Sequence, residues 1–199
     1  MNTPPDLIVG FWLWFQERQA EHHTLSNADS PLLAAATAKL KELDPHLSLE
    51  ADAEASRPAL IVTTGATAAS IPHAEAVAAA APAIPGWQVI ALKPAFGFAF
   101  TLNHHGTRYE PQAMWFMTPD EQPVPGKLAI RVGIPNYTST SPTYVRQAVR
   151  LVLEKAIGER SLAEDIVSFE VLQLPRAPEP AGYIELFELP DVIEERREG

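Results

Sequence analysis

Residues 87–134 read WQVIALKPAFGFAFTLNHHGTRYEPQAMWFMTPDEQPVPGKLAIRVGI, and the number of strands held in this stretch decides the fold. Four runs are rich in β-branched and aromatic residues: WQVIALKP from Trp87, FGFAFTLN from Phe96, AMWFM from Ala113 and KLAIRVGI from Lys127. The connections between them are short and carry Pro, Gly and Asn. That pattern predicts a mostly antiparallel succession of strands. Lys93 and Arg131 sit inside apolar runs, where a cation must either face solvent or meet a partner.

Inside this stretch lies FAFTLNHHGTRYEP, with adjacent imidazoles at His104 and His105 and Glu110 close behind. Strand geometry argues against a paired metal site, because successive side chains point to opposite faces. Phe96, Phe98, Phe100 and Leu102 would share a face with His104, while Ala99, Thr101 and Asn103 would share the other with His105. The pair His105-Gly106 reads instead as a tight hairpin turn, with His tolerated and Gly favoured at positive φ. His104 is then the ring expected beside the aromatic face.

Working outward, residues 6–23 read as a helix with Ile8, Phe11, Trp12 and Phe15 on one stripe. Val9, Leu13 and Trp14 fall outside that stripe, so the helix is apolar almost all round over two turns. Burial within the fold is the first account. A homodimer interface through Phe11, Trp12, Trp14 and Phe15 is the second. The apolar run Leu7–Phe15 follows no Lys or Arg, is not read as a signal peptide, and is far short of the roughly 20 residues that cross a bilayer. His22 and His23 close this helix, without the spacing of a zinc-binding pair.

A second helix is expected over Pro31–Leu43, with Ser30 as its N-cap and Pro31 at its first position. Strands are expected at Leu47–Ala51 and Ala59–Thr63, and a helix over Pro72–Ala81 that stops against Pro82 and Pro85. Beyond residue 134, a long helix over Pro142–Ile157 is capped by Ser141 and closed by Gly158. A strand follows over Ile166–Leu172.

This order predicts an α+β protein: a two-layer sandwich with a mostly antiparallel or mixed sheet of about six to seven strands and helices on one face. Residues 1–174 are expected to form a single domain, with a helical hairpin at 6–43 and the sheet and its helices at 47–174. Residues 175–199 comprise a Pro-rich connector, PRAPEPAG, and an acidic tail with six acids and two arginines from Glu185 onward. The apolar Ile184, Leu186, Phe187, Leu189, Val192 and Ile193 predict that this tail docks.

The chain of 199 residues has no Cys, which removes disulfides, thiolate metal sites and cysteine nucleophiles. A formal net charge of −10 argues against nucleic-acid binding. With no membrane segment expected either, a cytoplasmic protein is the default reading.

Two loops carry hydroxyls into helix starts, where backbone N–H groups can hold an anion. They are TTGATAAS at 63–70 and NYTSTSPTY at 136–144. If both opened at one sheet edge, Thr64, Thr67, Ser70, Thr138, Ser139 and Ser141 would line a polar ligand pocket with His73 nearby. The same hydroxyls also read as ordinary caps and turn formers. No phosphate-binding lysine loop, dinucleotide fingerprint or nucleophile motif is present, so no catalytic residue, metal or cofactor is assigned.

The succession WQVIALKPAFGFAFTLNHHG, MWFM, LAIRVGIP and GERSLAEDIVSFEVLQLP resembles uncharacterised bacterial proteins of unknown function. That resemblance covers most of the chain and implies a fold, with no transferable activity or site residue. The reading preferred from sequence is a non-catalytic interaction, regulatory or immunity-type module that binds a basic protein partner. Its alternative is a small-ligand-binding or hydrolytic domain using the hydroxyl-rich helix starts.

Overall fold

The computed structural model describes residues 5–27, 29–135, 137 and 141–198. These divide into two units, Met1–Lys93 and Pro94–Gly199. The boundary falls inside the stretch expected to be one domain.

The first unit opens with helix α1 (Pro5–Gln16), continues through a 3-10 turn (Gln19–Thr24) and reaches α2 (Pro31–Leu43). Helix α1 is therefore shorter than the 6–23 expected. His22 lies beyond it, its Nε2 3.2 Å from the Phe15 carbonyl. Ser30 caps α2 as its sequence predicts, its hydroxyl accepting from the Leu33 N–H. Strands β1 (Ser48–Asp52), β2 (Ala59–Thr63) and β3 (Gln88–Ala91) form one sheet, with α3 (Ile71–Ala79) between β2 and β3. The β1–β2 pair is antiparallel and the β2–β3 pair parallel, since a helical crossover returns the chain in the same direction. Every residue of β2, ALIVT, is buried, which accounts for its unbroken apolar run.

Phe11, Trp12 and Phe15 are buried in this unit, and the Trp12 indole N–H donates to the Val77 carbonyl at 2.8 Å. Val77 lies in the last turn of α3, where carbonyls lack intrahelical donors. Trp14, half-buried, carries the Arg18 guanidinium at 4.3 Å and the Lys39 ammonium at 5.3 Å over its ring. Of the residues named for an interface, three thus turn inward and the fourth is covered by cations. The apolar side chains left outward on α1 are Leu7, Val9 and Leu13, each more than half exposed.

The second unit contains a two-stranded hairpin, β4 (Leu102–His104) with β5 (Thr107–Tyr109). Its larger sheet runs in the order β8-β7-β6-β9, from β6 (Trp115–Met117), β7 (Leu128–Ile134), β8 (Ile166–Gln173) and β9 (Ile184–Glu185). Helix α4 (Pro142–Glu164) makes the crossover between the parallel pair β7 and β8. Arg131 and Glu170 face each other across this pair at 3.2 Å, and in the first unit Lys93 meets Glu50 at 2.9 Å. Both cations are paired, Arg131 within β7 and Lys93 just past the end of β3.

The tail supplies β9 and α5 (Leu189–Glu198). Leu186 and Leu189 are fully buried, and Arg197 grips Asp165 with two hydrogen bonds of 2.9 and 2.6 Å.

The expected sheet of six to seven strands is not what forms: the described strands make three small sheets, of three, two and four strands. The decisive difference is FGFAFT at 96–101, which is no strand. Gly97 takes φ 82°, and Leu92 before it takes φ 64°. The N–H groups of Phe96 and Gly97 bond the Lys155 and Ala156 carbonyls instead of a neighbouring strand. Those carbonyls are free to accept because Gly158, at φ 84° and ψ 156°, breaks α4 where its sequence predicts an end. The aromatic run is not a core strand either. Phe96 and Phe100 hold the Lys155 ammonium at 4.7 and 5.0 Å from their ring centres. Phe96 itself is exposed.

Candidate functional site

The β4–β5 hairpin closes through two residues, His105 at φ 47° and Gly106 at φ 75°. Positive φ at both positions is the requirement of a type I′ turn, so the His-Gly reading of this stretch holds. The side-chain expectation does not. Because His105 belongs to the turn and not to the strand, alternation no longer separates the two rings. Their centres lie 4.5 Å apart in an edge-to-face contact. His105 then stacks on Tyr144, from the first turn of α4, at 4.2 Å and 26°.

This ring succession forms one wall of a cavity of about 490 Å³ within the second unit. The hairpin adds Thr107, Arg108, Tyr109 and Glu110, while Ala113 and Met114 follow from the next turn. The end of β7 contributes Ile134 and Pro135, and α4 contributes Ser141 and Val145; Tyr137 lies between. The position is the carboxyl end of a strand that feeds a crossover helix, a place where α/β units commonly open a crevice. It is also the positive end of α4, whose N-cap residue Ser141 makes no side-chain capping bond.

The chemistry of the lining is uneven. Arg108 and Glu110 neutralise each other at 2.6 Å. Burial pushes the Tyr109 phenol above its ordinary value against the opposing hydrogen bond from Thr107, and the nearby Tyr137 pushes the same way. Tyr109 is therefore a neutral donor at neutral pH. The Nε2 atom of His104 is buried and has no hydrogen-bond partner among the described residues. Buried polar atoms rarely stay unsatisfied, since each costs about 1–3 kcal/mol, so an orphaned one asks what completes it.

The residues singled out for a polar pocket are placed separately. Thr64, Thr67, Ser70 and His73 belong to the first unit and Ser141 to the second, while Thr138 and Ser139 lie outside the described residues. In the first unit the hydroxyls serve local structure: Thr64 Oγ1 accepts from the Thr67 N–H at 3.1 Å and Thr63 Oγ1 from the Gly65 N–H at 3.2 Å. Ser70 makes no helix cap and bonds the carboxylate of Asp44. His73 Nδ1 meets the same carboxylate at 2.7 Å, and the His46 N–H donates to its other oxygen at 2.9 Å. Burial pushes the Asp44 carboxyl up, but these hydrogen bonds outweigh it and hold the group below its usual value. Among the described residues, no group of three or more His, Asp or Glu is placed to hold a metal ion. No helix there is long and apolar enough to cross a membrane.

Comparison with protein-family models, curated proteins and solved structures finds no match to this chain. The cavity's own residues are thus the whole basis for a functional reading. Sequence reasoning missed Tyr109, Tyr137 and Tyr144 as lining groups. The last two stand in the NYTSTSPTY loop, where the run of small hydroxyls masks the two phenols at its ends.

Proposed function

We propose that the second unit binds a small organic ligand in the cavity between the β4–β5 hairpin and the start of α4. The observation that carries this reading is a cavity of about 490 Å³ whose lining includes His104, a side chain with a buried Nε2 that has no partner among the described residues. Ligand sites of this kind combine a few hundred cubic ångströms of mostly apolar space with a few convergent polar groups. Met114, Ile134, Pro135 and Val145 supply the apolar part, and His104, Tyr109, Tyr137 and Ser141 the polar part.

Crystals soaked with a fragment library test the reading, alongside thermal shifts for the parent protein and for Ala113→Trp. Ala113 is an exposed lining residue, so the indole would fill the cavity without disturbing the core. Fragments should seat between His105, Tyr144 and Met114, and their thermal shifts should disappear in the variant. Shifts that survive the blockade, or fragments found only elsewhere, would overturn the proposal.

A second reading, an interaction module for a basic partner, is favoured by the outward acids Asp191, Glu194, Glu195 and Glu198 of α5. It calls for salt-sensitive binding of a basic protein that is lost on reversing those charges.

A further inference from the structure

We infer that the ligand of this cavity is a flat aromatic carboxylate; the inference rests on the small-ligand reading above and names its ligand class. The aromatic part follows from the wall. His105 is fixed at positive φ by the hairpin, and its ring lies nearly parallel to Tyr144 at 4.2 Å. Tyr144 is 48% exposed despite that contact, so a large part of its ring remains available beside the cavity. The space around this pair is shaped by flat groups packed at stacking distance, the arrangement a planar ligand extends and a puckered ring does not.

The carboxylate follows from a tally of donors and acceptors on the lining side chains. Glu110 is the one acid among the described lining residues, and Arg108 already takes it at 2.6 Å. With Thr107 already bonded to Tyr109, what remains is two imidazoles, three phenols and the Ser141 hydroxyl, all groups able to donate and none of them an acid. A carboxylate meets donors there and no unpaired acid to repel it. His104, whose Nε2 is buried with no partner among the described residues, is the lining side chain with a hydrogen-bonding atom left unspent, and its Nε2–H tautomer complements a carboxylate oxygen. The positive end of α4 favours the same charge from the adjoining wall.

The chain's net charge of −10 works in the opposite direction. That field is screened over about 8 Å at physiological salt, whereas the donors act in direct contact, so the local groups decide.

Titration calorimetry with three probes reads the two halves of the inference separately: 2-naphthoate, its neutral amide 2-naphthamide, and cyclohexanecarboxylate. Naphthoate should bind about tenfold to hundredfold more tightly than the amide, the range of one charge-assisted hydrogen bond, and more tightly than the puckered acid. In His104→Leu the advantage over the amide should collapse while the advantage over cyclohexanecarboxylate persists. Tyr144→Leu, at an exposed position that should not trouble folding, is expected to reverse that pattern. If the amide binds as tightly as the acid, or the puckered acid as tightly as the flat one, the ligand class is wrong while the cavity remains a binding site. If none of the three binds and the soaked crystals hold no fragment there, the small-ligand reading falls with it.

Discussion

Asp44 shows how much a single side chain organises in the first unit. It ends α2 and accepts hydrogen bonds from the His46 N–H, His73 and Ser70, so one carboxylate ties the end of one helix to the beginning of another. A carboxyl whose folded pKa lies below its unfolded value of 3.8 binds fewer protons when folded. Its stabilisation is therefore complete above 3.8 and is lost as pH falls through the lowered folded value. Asp44→Asn should cost about 1.5–3 kcal/mol at neutral pH, the range for hydrogen bonds to a charged group. It should also flatten the acid limb of a stability-against-pH curve measured by urea unfolding. An acid limb of unchanged slope would show that other carboxylates govern it.

The legibility of the sequence at this scale was divided. The His105-Gly106 turn could be read directly, because the tolerance of positive φ belongs to the residue itself. Its stack on Tyr144 could not, because that contact depends on where α4 begins in space. The same holds for Asp44, which looked like nothing more than the residue ending a helix.

Elements whose signal is internal are legible in the sequence. Helix α2 and strand β2 start and stop where caps, prolines and apolar runs place them, and β7 and β8 begin within a residue of expectation. FGFAFT failed because strand propensity describes a half-buried pleated surface, and this segment finds no neighbouring strand among the described residues. It finds the broken end of α4, created by Gly158. The backbone there, φ 84° and ψ 156°, is open essentially to glycine alone. An added Cβ would also meet the Ala95 backbone nitrogen at 3.0 Å. Gly158→Ala should accordingly cost roughly 1–3 kcal/mol in chemical denaturation. A change of a few tenths would mean that the end of α4 adapts and that residues 96–97 do not need it in its present form.

At the scale of the whole molecule, each unit holds the same strand arrangement: an antiparallel pair, a helix, then a strand parallel to the second of the pair. No sequence repeat announces this, since the two helices differ in length and the shared feature is connectivity. The tail then adds what the first unit lacks, a strand and helix anchored by Leu186, Leu189 and Ile193. Leu189→Ala should cost about 2–5 kcal/mol, as for other fully buried leucines, measurable by urea unfolding. It should also raise the tendency to self-associate in size-exclusion chromatography, because loosening β9 bares the edge of β6. A monomeric variant of parental stability would show the tail to be dispensable.

The placement of β9 also bears on the order in which the protein is made. Chains emerge from the ribosome with the amino terminus leading, and contiguous units tend to fold as they appear. The three strands of the first sheet are all present by residue 91, so that sheet can close early. In the second, β6 is exposed to the cell from the moment it emerges until residues 184–185 arrive, after everything between has been synthesised. Throughout that interval its unpaired edge is open to other nascent chains, so a translational pause before residue 184 should be the point at which this protein most needs a chaperone.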